Sequence, residues 1–402
     1  MRYIDAKILI IILAIYSRYN NKSEIKCGIN FCCFYYKWCG TTETYCGNPD
    51  PNGQSPCQAD FDLCEVVPPP SCGQGSGSTG GRTIDYYQAD NVANRLCNKV
   101  TPSQLNTTGF THLNYAFVQF DPSSYEITIG DSLDIVAEFT ALKSRGLQTW
   151  VAVGGFDFSD ATAPTHTAWS DMASTAAGRA TFISSLKSFM AQHGFGSEYG
   201  ISMTLAPDYW YLRYFDAKAM ESSVDFFGFM AYDLHGSWDA NVKTLGSLVR
   251  AQTDVREIAN DTMALWFDDI NPSKINFGVA YYGRGYTLNN AGCSDMLCPC
   301  SDPSNPGPCT NTAGVLSLRE IEQKIDAQGL VPKLVEGAMI KQLKSWADGY
   351  CFGGTLVWSI DFNSAGSGDD PPATTDGTCG TQSGGLVCGD WPTGDCCSFS
   401  GW

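Results

Sequence analysis

Aromatic and polar side chains stand together at the ends of several apolar runs in this 402-residue sequence. The candidates are Met230, Tyr232 and Asp233 in FMAYDLHGSW, Tyr282 and Arg284 in AYYGRGYTL, and Trp358 in TLVWSID. Aromatic rings stack on the C–H faces of a pyranose, and neighbouring polar groups hydrogen-bond its hydroxyls. The repeated combination therefore predicts a saccharide-binding site, whereas a single aromatic residue at a strand end is typical of core packing.

The elements that carry these side chains alternate between two patterns. Short runs rich in β-branched and aromatic residues predict strands at residues 112–120, 147–155, 224–232, 275–283 and 353–361. Amphipathic segments such as RATFISSLKSFMAQH, residues 179–193, predict helices between them. This alternation favours a parallel barrel of β/α units, in which the carboxyl ends of the strands share one face. We therefore expect the candidate residues to lie together on that face.

Composition excludes some partners and indicates an oxidising compartment. The 42 acidic and 25 basic residues give a net charge of −17, which disfavours binding to nucleic acid and to anionic membrane surfaces. Eighteen clustered cysteines are typical of extracellular proteins stapled by disulfides. A zinc site at Cys293, Cys298 and Cys300 is the alternative, disfavoured because the sequence has only four histidines. We expect no metal and no other cofactor.

Composition breaks divide the chain into segments. Residues 67–81 and 367–378 are rich in Gly, Pro, Ser or Thr and predict linkers between segments 26–66, 82–366 and 379–402. Residues 1–25 place Arg2 and Lys7 ahead of an apolar run too short to cross a bilayer, which indicates a signal-like segment and secretion. No later run is long and apolar enough to predict a membrane span.

Residues 82–366 resemble the chitinases of glycoside hydrolase family 18, in particular the secreted fungal group related to killer-toxin subunits. RTIDYYQAD is similar to the first barrel strand, TWVAVGG to the third, FMAYDLHGSWD to the sixth, VAYYGRGYTL to the seventh and TLVWSID to the eighth. The resemblance implies a TIM-type (β/α) barrel that binds chitin or N-acetylglucosamine oligomers. By this resemblance, Tyr232 would hydrogen-bond the N-acetyl oxygen and Asp233 would support the N-acetyl group. Tyr282 and Arg284 would contact the sugar chain, and Trp358 would form the floor of the pocket.

Residues 26–66 resemble a hevein-type chitin-binding module through CGINFCCFYYKWCGTTETYC. The resemblance implies a stacking platform of Tyr36, Trp38 and Tyr45, and the disulfides Cys27–Cys39, Cys32–Cys46 and Cys57–Cys64. The segment departs from the pattern in lacking a cysteine upstream of Cys27 and in having Phe34 where a serine is typical. A disulfide-stapled unit without a ligand is therefore the alternative. Residues 379–402 resemble the opening of a second, truncated module of this type.

The catalytic acid of the family pattern has no counterpart in this sequence. In family 18 the N-acetyl group of the sugar attacks its own anomeric carbon, and a glutamate in DGxDxDxE at the end of the fourth strand protonates the leaving oxygen. Here the helix ending near His193 runs through Phe195 directly into GSEYGISMT, so a whole β/α unit is missing. Glu198 precedes the next strand, so it is expected on the face opposite the candidate residues, and we do not expect it to replace the acid.

The sequence thus predicts an extracellular α/β protein with a TIM-type barrel lacking one β/α unit and a small disulfide-rich hevein-like module. Such a barrel either closes with seven strands or leaves two open edges. We predict chitin binding with little or no hydrolysis, which leaves the enzymatic status of the chain open. The alternatives are a non-catalytic chitin lectin and a disulfide-rich secreted protein without a sugar ligand. A further hypothesis is that the natural transcript contains additional exon sequence between the codons for Phe195 and Gly196. Sequencing the transcript across these codons tests it, and an uninterrupted read that matches this chain would contradict it.

Overall fold

The computed structural model describes residues 27–60, 63–73, 75–129, 135–196, 199–213, 215–333 and 340–363. The signal-like segment 1–25, Glu198 and the second module-like segment 379–402 lie outside these residues. Within the described ranges, no helix combines the length and the apolar character needed to cross a membrane.

The N-terminal module is built around two short strands. Strand β1 (Cys32–Cys33) pairs antiparallel with β2 (Cys39–Gly40), and helix α1 (Glu43–Cys46) follows. Disulfides join the pairs that the hevein resemblance implies, Cys27–Cys39, Cys32–Cys46 and Cys57–Cys64. Because so small a unit buries little apolar surface of its own, these cross-links do much to fix its shape.

Seven parallel strands form a curled sheet in the central region. The strands that follow the module are β3 (Thr83–Gln88), β4 (His112–Phe120), β5 (Ile127–Thr128), β6 (Gln148–Val153), β7 (Ser202–Leu205), β8 (Phe226–Phe229), β9 (Ile275–Ala280), β10 (Tyr282–Arg284), β11 (Tyr286–Leu288), β12 (Cys300–Pro303), β13 (Val315–Ser317) and β14 (Gly354–Trp358). The parallel order is β6-β4-β3-β14-β9-β8-β7, and β5 adds antiparallel to β4. The predicted fold class, an incomplete barrel of β/α units, is confirmed.

The sheet is open between β6 and β7, where the sequence lacks a β/α unit. In the part of the chain that the structure describes, β6 pairs with β4 alone and β7 with β8 alone, so two edges face each other. Near the amino ends of these edges, the indole of Trp150 spans the opening. A Cβ atom on Gly200 would lie 2.1 Å from this ring, and the ring packs on Phe226 with 5.1 Å between centroids. A side chain thus occupies space that a strand would fill, and a glycine at position 200 leaves room for it.

Helices pack around the sheet. They are α2 (Asn91–Asn94), α3 (Val136–Ala141), α4 (Phe156–Ser159), α5 (Ala168–Ser174), α6 (Ala176–Gln192), α7 (Tyr209–Leu212), α8 (Ala217–Met220), α9 (Val255–Asp261), α10 (Met263–Phe267), α11 (Leu318–Gln328) and α12 (Ile340–Gly349). The long helix α6 begins after Thr175, whose hydroxyl accepts a hydrogen bond from the Gly178 N–H, and it buries Phe182, Leu186 and Phe189. The predicted helix at 179–193 is therefore confirmed, with a start three residues earlier.

The module shares a hydrophobic core with the barrel. Phe31 is buried, stacks on Tyr209 with 4.6 Å between ring centroids, and meets Phe267 edge-on at 5.2 Å. The Asn30 side-chain amide donates a hydrogen bond to the Phe267 carbonyl oxygen at 3.1 Å. Burying a phenylalanine side chain contributes about 1.5–3 kcal/mol. The module is thus packed onto the barrel through its own apolar side chain.

The chain between module and barrel is attached to α12. Cys72 forms a disulfide with Cys351, just beyond that helix. The Thr79 N–H and hydroxyl donate to one Asp348 carboxylate oxygen, at 2.9 and 2.6 Å, and Lys344 donates to the Thr79 hydroxyl at 2.7 Å. Thr79 is fully buried. These contacts hold the second half of the predicted linker against the barrel.

An insertion between β9 and β14 carries two small antiparallel ladders, β10 with β13 and β11 with β12. Helix α11 begins with a capping box, in which Ser317 and Glu320 each bond the backbone N–H of the other. A disulfide joins Cys293 to Cys298, so these two sulfurs are not available as zinc ligands and the zinc alternative is wrong for them.

His112 at the start of β4 predicts acid sensitivity of the barrel interior. Its ring is buried against Trp150 and Phe226, and burial together with the charge of Arg82 lowers the pKa of His112 to about 4. The unfolded chain takes up this proton near pH 6.5, so the contribution to stability is complete above pH 6.5 and is lost as the pH falls towards 4. The expected loss is roughly 3 kcal/mol.

Urea unfolding at pH 7 and pH 4 measures this effect. The His112→Gln variant should lose less stability between these pH values than the unsubstituted chain does, because the substituted side chain does not titrate. Equal losses in both proteins would contradict the assignment. The control is His193→Gln, which alters a half-buried histidine that packs on Phe189.

Candidate functional site

The predicted site residues lie at the carboxyl ends of neighbouring parallel strands. Met230, Tyr232 and Asp233 follow β8, Tyr282 and Arg284 lie on β10 directly after β9, and Trp358 ends β14. Strands β8, β9 and β14 are adjacent in the sheet. Met230, Tyr232, Tyr282 and Trp358 belong to one apolar cluster, so the structure brings these predicted residues together.

Two buried phenols form the inner part of the site. The rings of Tyr232 and Tyr282 meet edge to face with 6.2 Å between centroids. Burial raises the pKa of both hydroxyls well above the usual range, and the charge of Asp233 adds to the effect. Gly278 leaves room for this packing, because a Cβ atom there would lie 3.0 Å from the Tyr232 ring and 2.4 Å from the Phe229 carbonyl oxygen. Both phenols therefore stay protonated and can act as hydrogen-bond donors.

Asp233 and Arg284 form a two-point ion pair beside the phenols. Arg284 Nε donates to Asp233 Oδ1 at 2.7 Å, and Arg284 Nη2 donates to Asp233 Oδ2 at 2.5 Å. Burial alone would lower the pKa of Arg284, but the hydrogen bonds and charge of Asp233 raise it. Asp233 adopts φ = +58°, a left-handed conformation that aspartate tolerates better than most residues. The guanidinium also lies 4.9 Å from the Trp238 ring centroid, so the pair has an aromatic cover.

Trp358 provides the flat surface of the site. Its ring stacks on Phe117 with 5.5 Å between centroids and 21° between planes, and it contacts Tyr86 at 5.3 Å. Gly155 packs against Phe117, since a Cβ atom at that position would lie 2.8 Å from the ring. These neighbours hold the half-buried indole in one orientation. A held indole with a solvent-facing part is suited to stacking on an apolar ligand face.

The loop after β8 is held by a histidine between two carboxylates. His235 Nδ1 lies 2.6 Å from Asp239 Oδ2, and Nε2 lies 2.9 Å from Glu257 Oε1. The ring is buried, which alone would lower its pKa, but hydrogen bonds and charges of Glu257 and Asp239 raise it. Since this loop carries Trp238, the hydrogen bonds of His235 to the two carboxylates fix the cover of the Asp233–Arg284 pair.

The His235 network predicts a loss of order at alkaline pH. A raised pKa means that the contribution to stability is complete below the unfolded value near 6.5, and is lost as the pH rises through the higher folded value. We expect the melting temperature of the unsubstituted chain to fall more steeply between pH 6 and pH 9 than that of His235→Gln. Parallel melting curves for the two proteins across this range would show that the network does not contribute.

The module exposes part of its predicted platform. Tyr36 and Trp38 are each 69% exposed, while Tyr45 is half-buried, with its ring against Gly40 and Phe34. Phe34 also contacts Tyr36 at 5.5 Å between centroids. The three predicted residues therefore differ in accessibility.

Some residues of the site were not found from the sequence. Tyr86 and Phe117 contact Trp358 from β3 and β4, and the Asn114 side chain hydrogen-bonds with Tyr86. The two adjacent tyrosines in DYYQ give no period that says which ring points inward. Asp361 follows β14, and its carboxylate is bound by Arg95 and by Gln88. Asp361 therefore links the carboxyl ends of the adjacent strands β3 and β14.

Sequence comparison relates the central region of the chain to one protein family and to individual proteins of known name. The family model described as glycosyl hydrolases family 18 matches residues 82–197 and 196–365. The chain is 25% identical over 354 residues to the secreted chitinase LysM12 of Penicillium expansum, covering 75% of this chain and 23% of that protein. It is 27% identical over 346 residues to the killer toxin subunits alpha/beta of Kluyveromyces lactis, covering 75% of this chain and 28% of that protein. The chain thus spans about a quarter of the length of these curated relatives.

Solved structures show the same fold. Catalytic domain 2 of the Ostrinia furnacalis Group II chitinase aligns with a TM-score of 0.60 at 19% identity, covering 70% of this chain and 90% of that one. Human YKL-39, described as a pseudo-chitinase with retained chitooligosaccharide binding properties, aligns with a TM-score of 0.58 at 18% identity, covering 70% and 93%. The two family segments meet at residues 196–197, which lie between α6 and β7 in the sequence.

Proposed function

Because the chain belongs to the glycosyl hydrolases of family 18, we propose that it binds chitin and N-acetylglucosamine oligomers at the strand-end site but hydrolyses them little or not at all. One observation carries the proposal. The aromatic and hydrogen-bonding part of the site is assembled, whereas the sequence has no DGxDxDxE motif and the sheet is open where the fourth strand would lie. Binding and proton donation are thus separated in this chain.

The assembled groups suit an N-acetylglucosamine ring. The apolar face of the sugar stacks on Trp358, and the protonated Tyr232 hydroxyl donates to the N-acetyl oxygen. Asp233 supports the acetamido group while Arg284 holds the aspartate in place. Tyr282 adds an aromatic wall next to Tyr232. All of these interactions form with the intact oligomer and need no bond cleavage.

Two of the described carboxylates near the site are held in ion pairs with arginines. Asp233 is bound by Arg284, and Asp361 is bound by Arg95. A carboxyl group that serves as general acid must reach the leaving oxygen with its own proton. Neither aspartate is arranged for that task, which supports binding without turnover.

The relatives support two versions of this function. The first is a chitinase homologue with little or no hydrolysis, and the second is a non-catalytic chitin lectin. The name of the relative LysM12, a secreted chitinase, connects the sequence to chitin and to the extracellular space. In YKL-39, a pseudo-chitinase, chitooligosaccharide binding is retained, which favours the second version, a non-catalytic chitin lectin. The disulfides of the described region agree with an extracellular location.

Calorimetric titration with an N-acetylglucosamine hexamer tests the proposal. We expect saturable binding of the hexamer and no binding of cellohexaose, which lacks the N-acetyl groups. Trp358→Ala should weaken hexamer binding at least about 10-fold, because buried aromatic anchors carry much of the energy at binding sites. Leu96→Ala removes an exposed apolar side chain elsewhere and should have no effect. Absence of hexamer binding would favour a disulfide-rich secreted protein without a sugar ligand.

A further inference from the structure

A second group of aromatic side chains lies on α7, whose packed residues belong to a different apolar cluster from that of the strand-end site. Trp210 and Tyr211 are 65% and 68% exposed. Tyr209 and Leu212, on the same turn, pack into the core shared by barrel and module. The helix therefore packs one half-buried aromatic ring against the core and presents two others to solvent. Adjacent exposed aromatic rings are typical of a surface that meets a ligand or a partner.

The orientation of Trp210 is fixed from one side. The Arg213 guanidinium lies 4.2 Å from the centroid of the Trp210 ring, at a distance that allows a cation–π contact. The start of α7 is held by Asp208, whose carboxylate accepts a hydrogen bond from the Tyr211 N–H at 3.2 Å. Arg213 therefore covers one face of the Trp210 ring and limits its motion. The exposed part of the indole can then contact a ligand with little further loss of side-chain entropy.

Helix α7 is in direct contact with the module. The Tyr209 hydroxyl donates to the Cys27 carbonyl oxygen, and the Tyr209 ring stacks on Phe31. Cys27 forms a disulfide with Cys39, the residue after Trp38, with 5.5 Å between the two Cα atoms. Cys27 therefore connects both groups. The exposed rings of α7 are attached to it through Tyr209, and Trp38 is attached to it through the disulfide of Cys39.

We propose that Trp210 and Tyr211 form a chitin-contact surface that continues the module surface of Tyr36 and Trp38. This inference rests on the proposed function and extends it from single oligomers to the chitin polymer. A neutral polysaccharide fits the chemistry, because pyranose faces stack on open aromatic rings and hydroxyls accept hydrogen bonds from the phenol and the indole N–H. The net charge of −17 disfavours an anionic polymer as the occupant.

Rigid attachment gives this surface its expected advantage. Two weak sugar-binding surfaces at fixed separation act at high effective concentration on one polymer, so their contributions combine. A short oligomer bound at the strand-end site gains nothing from them. The α7 surface should therefore affect affinity for polymeric chitin and leave trimer binding unchanged.

Binding isotherms on chitin beads test the inference with the full chain. The double variant Trp210→Ala with Tyr211→Ala should bind beads about 10-fold more weakly than the unsubstituted chain. Its calorimetric affinity for the N-acetylglucosamine trimer should not change. Both substitutions are at exposed positions, so the melting temperature should be preserved. Leu96→Ala, at another exposed apolar position, is the matched control and should bind beads normally.

The outcomes separate this inference from the proposed function. In one outcome, Trp38→Ala weakens binding to chitin beads and Trp358→Ala weakens binding of the oligomer, while the α7 double variant binds beads normally. The α7 surface is then not a chitin contact, and the proposed function stands. If no variant or parent chain binds trimer or beads, the proposed function fails first. Sedimentation velocity gives a third result: loss of self-association in the α7 variant, without a change in bead binding, would assign these rings to a second copy of the chain and overturn the inference.

Discussion

Turnover of a fluorogenic chitin oligomer by this chain should not exceed turnover by its Tyr232→Phe variant. In an active enzyme of the family, removal of the phenol would reduce a measurable rate. Here the general acid motif is absent from the sequence, and a positioned acid contributes about 10²–10⁴-fold to such reactions. Without protonation of the leaving oxygen we expect no measurable rate of hydrolysis, so the loss of a residue that orients the N-acetyl group cannot lower that rate further.

The same assay needs a positive control and a defined contrary result. An enzyme of the family with an intact DGxDxDxE motif should hydrolyse the substrate under identical conditions. Turnover by the present chain well above the Tyr232→Phe level would contradict the prediction. In that event Glu198→Gln would show whether Glu198 supplies the proton. Trimer titration of each protein ensures that a missing rate is not caused by missing binding.

Removal of the Cys72–Cys351 disulfide should cause the largest loss of stability. The two cysteines are 279 residues apart in sequence, so the bond closes most of the barrel into one loop. Chain-entropy estimates for a loop of this size give about 5.6 kcal/mol, compared with about 3 kcal/mol for a 15-residue loop. Replacing both cysteines by serine should therefore lower the urea midpoint substantially. The contacts of Thr79 with Asp348 should weaken as well, because they are formed just beyond the cross-link.

The Cys293–Cys298 disulfide of the insertion offers a control with a much shorter loop. Cys293 and Cys298 are five residues apart, so their replacement by serine should cost only about 2 kcal/mol on the same basis. Hydrogen exchange should show loss of protection at Thr79 in the Cys72 variant and not in the Cys293 variant. Equal urea midpoints for the two double variants would contradict the loop-length argument.

The sequence predicts local features of this protein well and long-range ones poorly. Strand β4 was predicted with the bounds that the structure has, because a run of nine mainly apolar residues that includes Tyr115, Phe117, Val118 and Phe120 is bounded by polar turns. The approach of Tyr232 to Tyr282 followed from the shared direction of parallel strands. By contrast, Cys72 has no local signal that selects Cys351 among eighteen cysteines. Connectivity depends on the folded path of the chain, which spacing does not encode.

Two further features depend on contacts that no periodic pattern reveals. Phe31 looks like an ordinary core residue of a small module, but it packs on the barrel residues Tyr209 and Phe267. Trp150 lies in an apolar run that predicts a strand, yet its ring reaches across the opening to Gly200. Both arrangements arise because neighbouring surfaces are apolar and complementary in shape, and that complementarity exists only after the chain has folded.

The two facing edges of the sheet have a consequence for refolding at high protein concentration. Strands β6 and β7 present backbone donors and acceptors that a strand of another molecule can pair with, and β6 is mostly apolar. Before Trp150 has packed against Gly200, nothing within the described chain blocks that pairing. Intermolecular association should therefore compete with folding, so the yield of monomer on dilution from urea should fall as the chain concentration rises. The indole at position 150 then serves the chain as protection against aggregation.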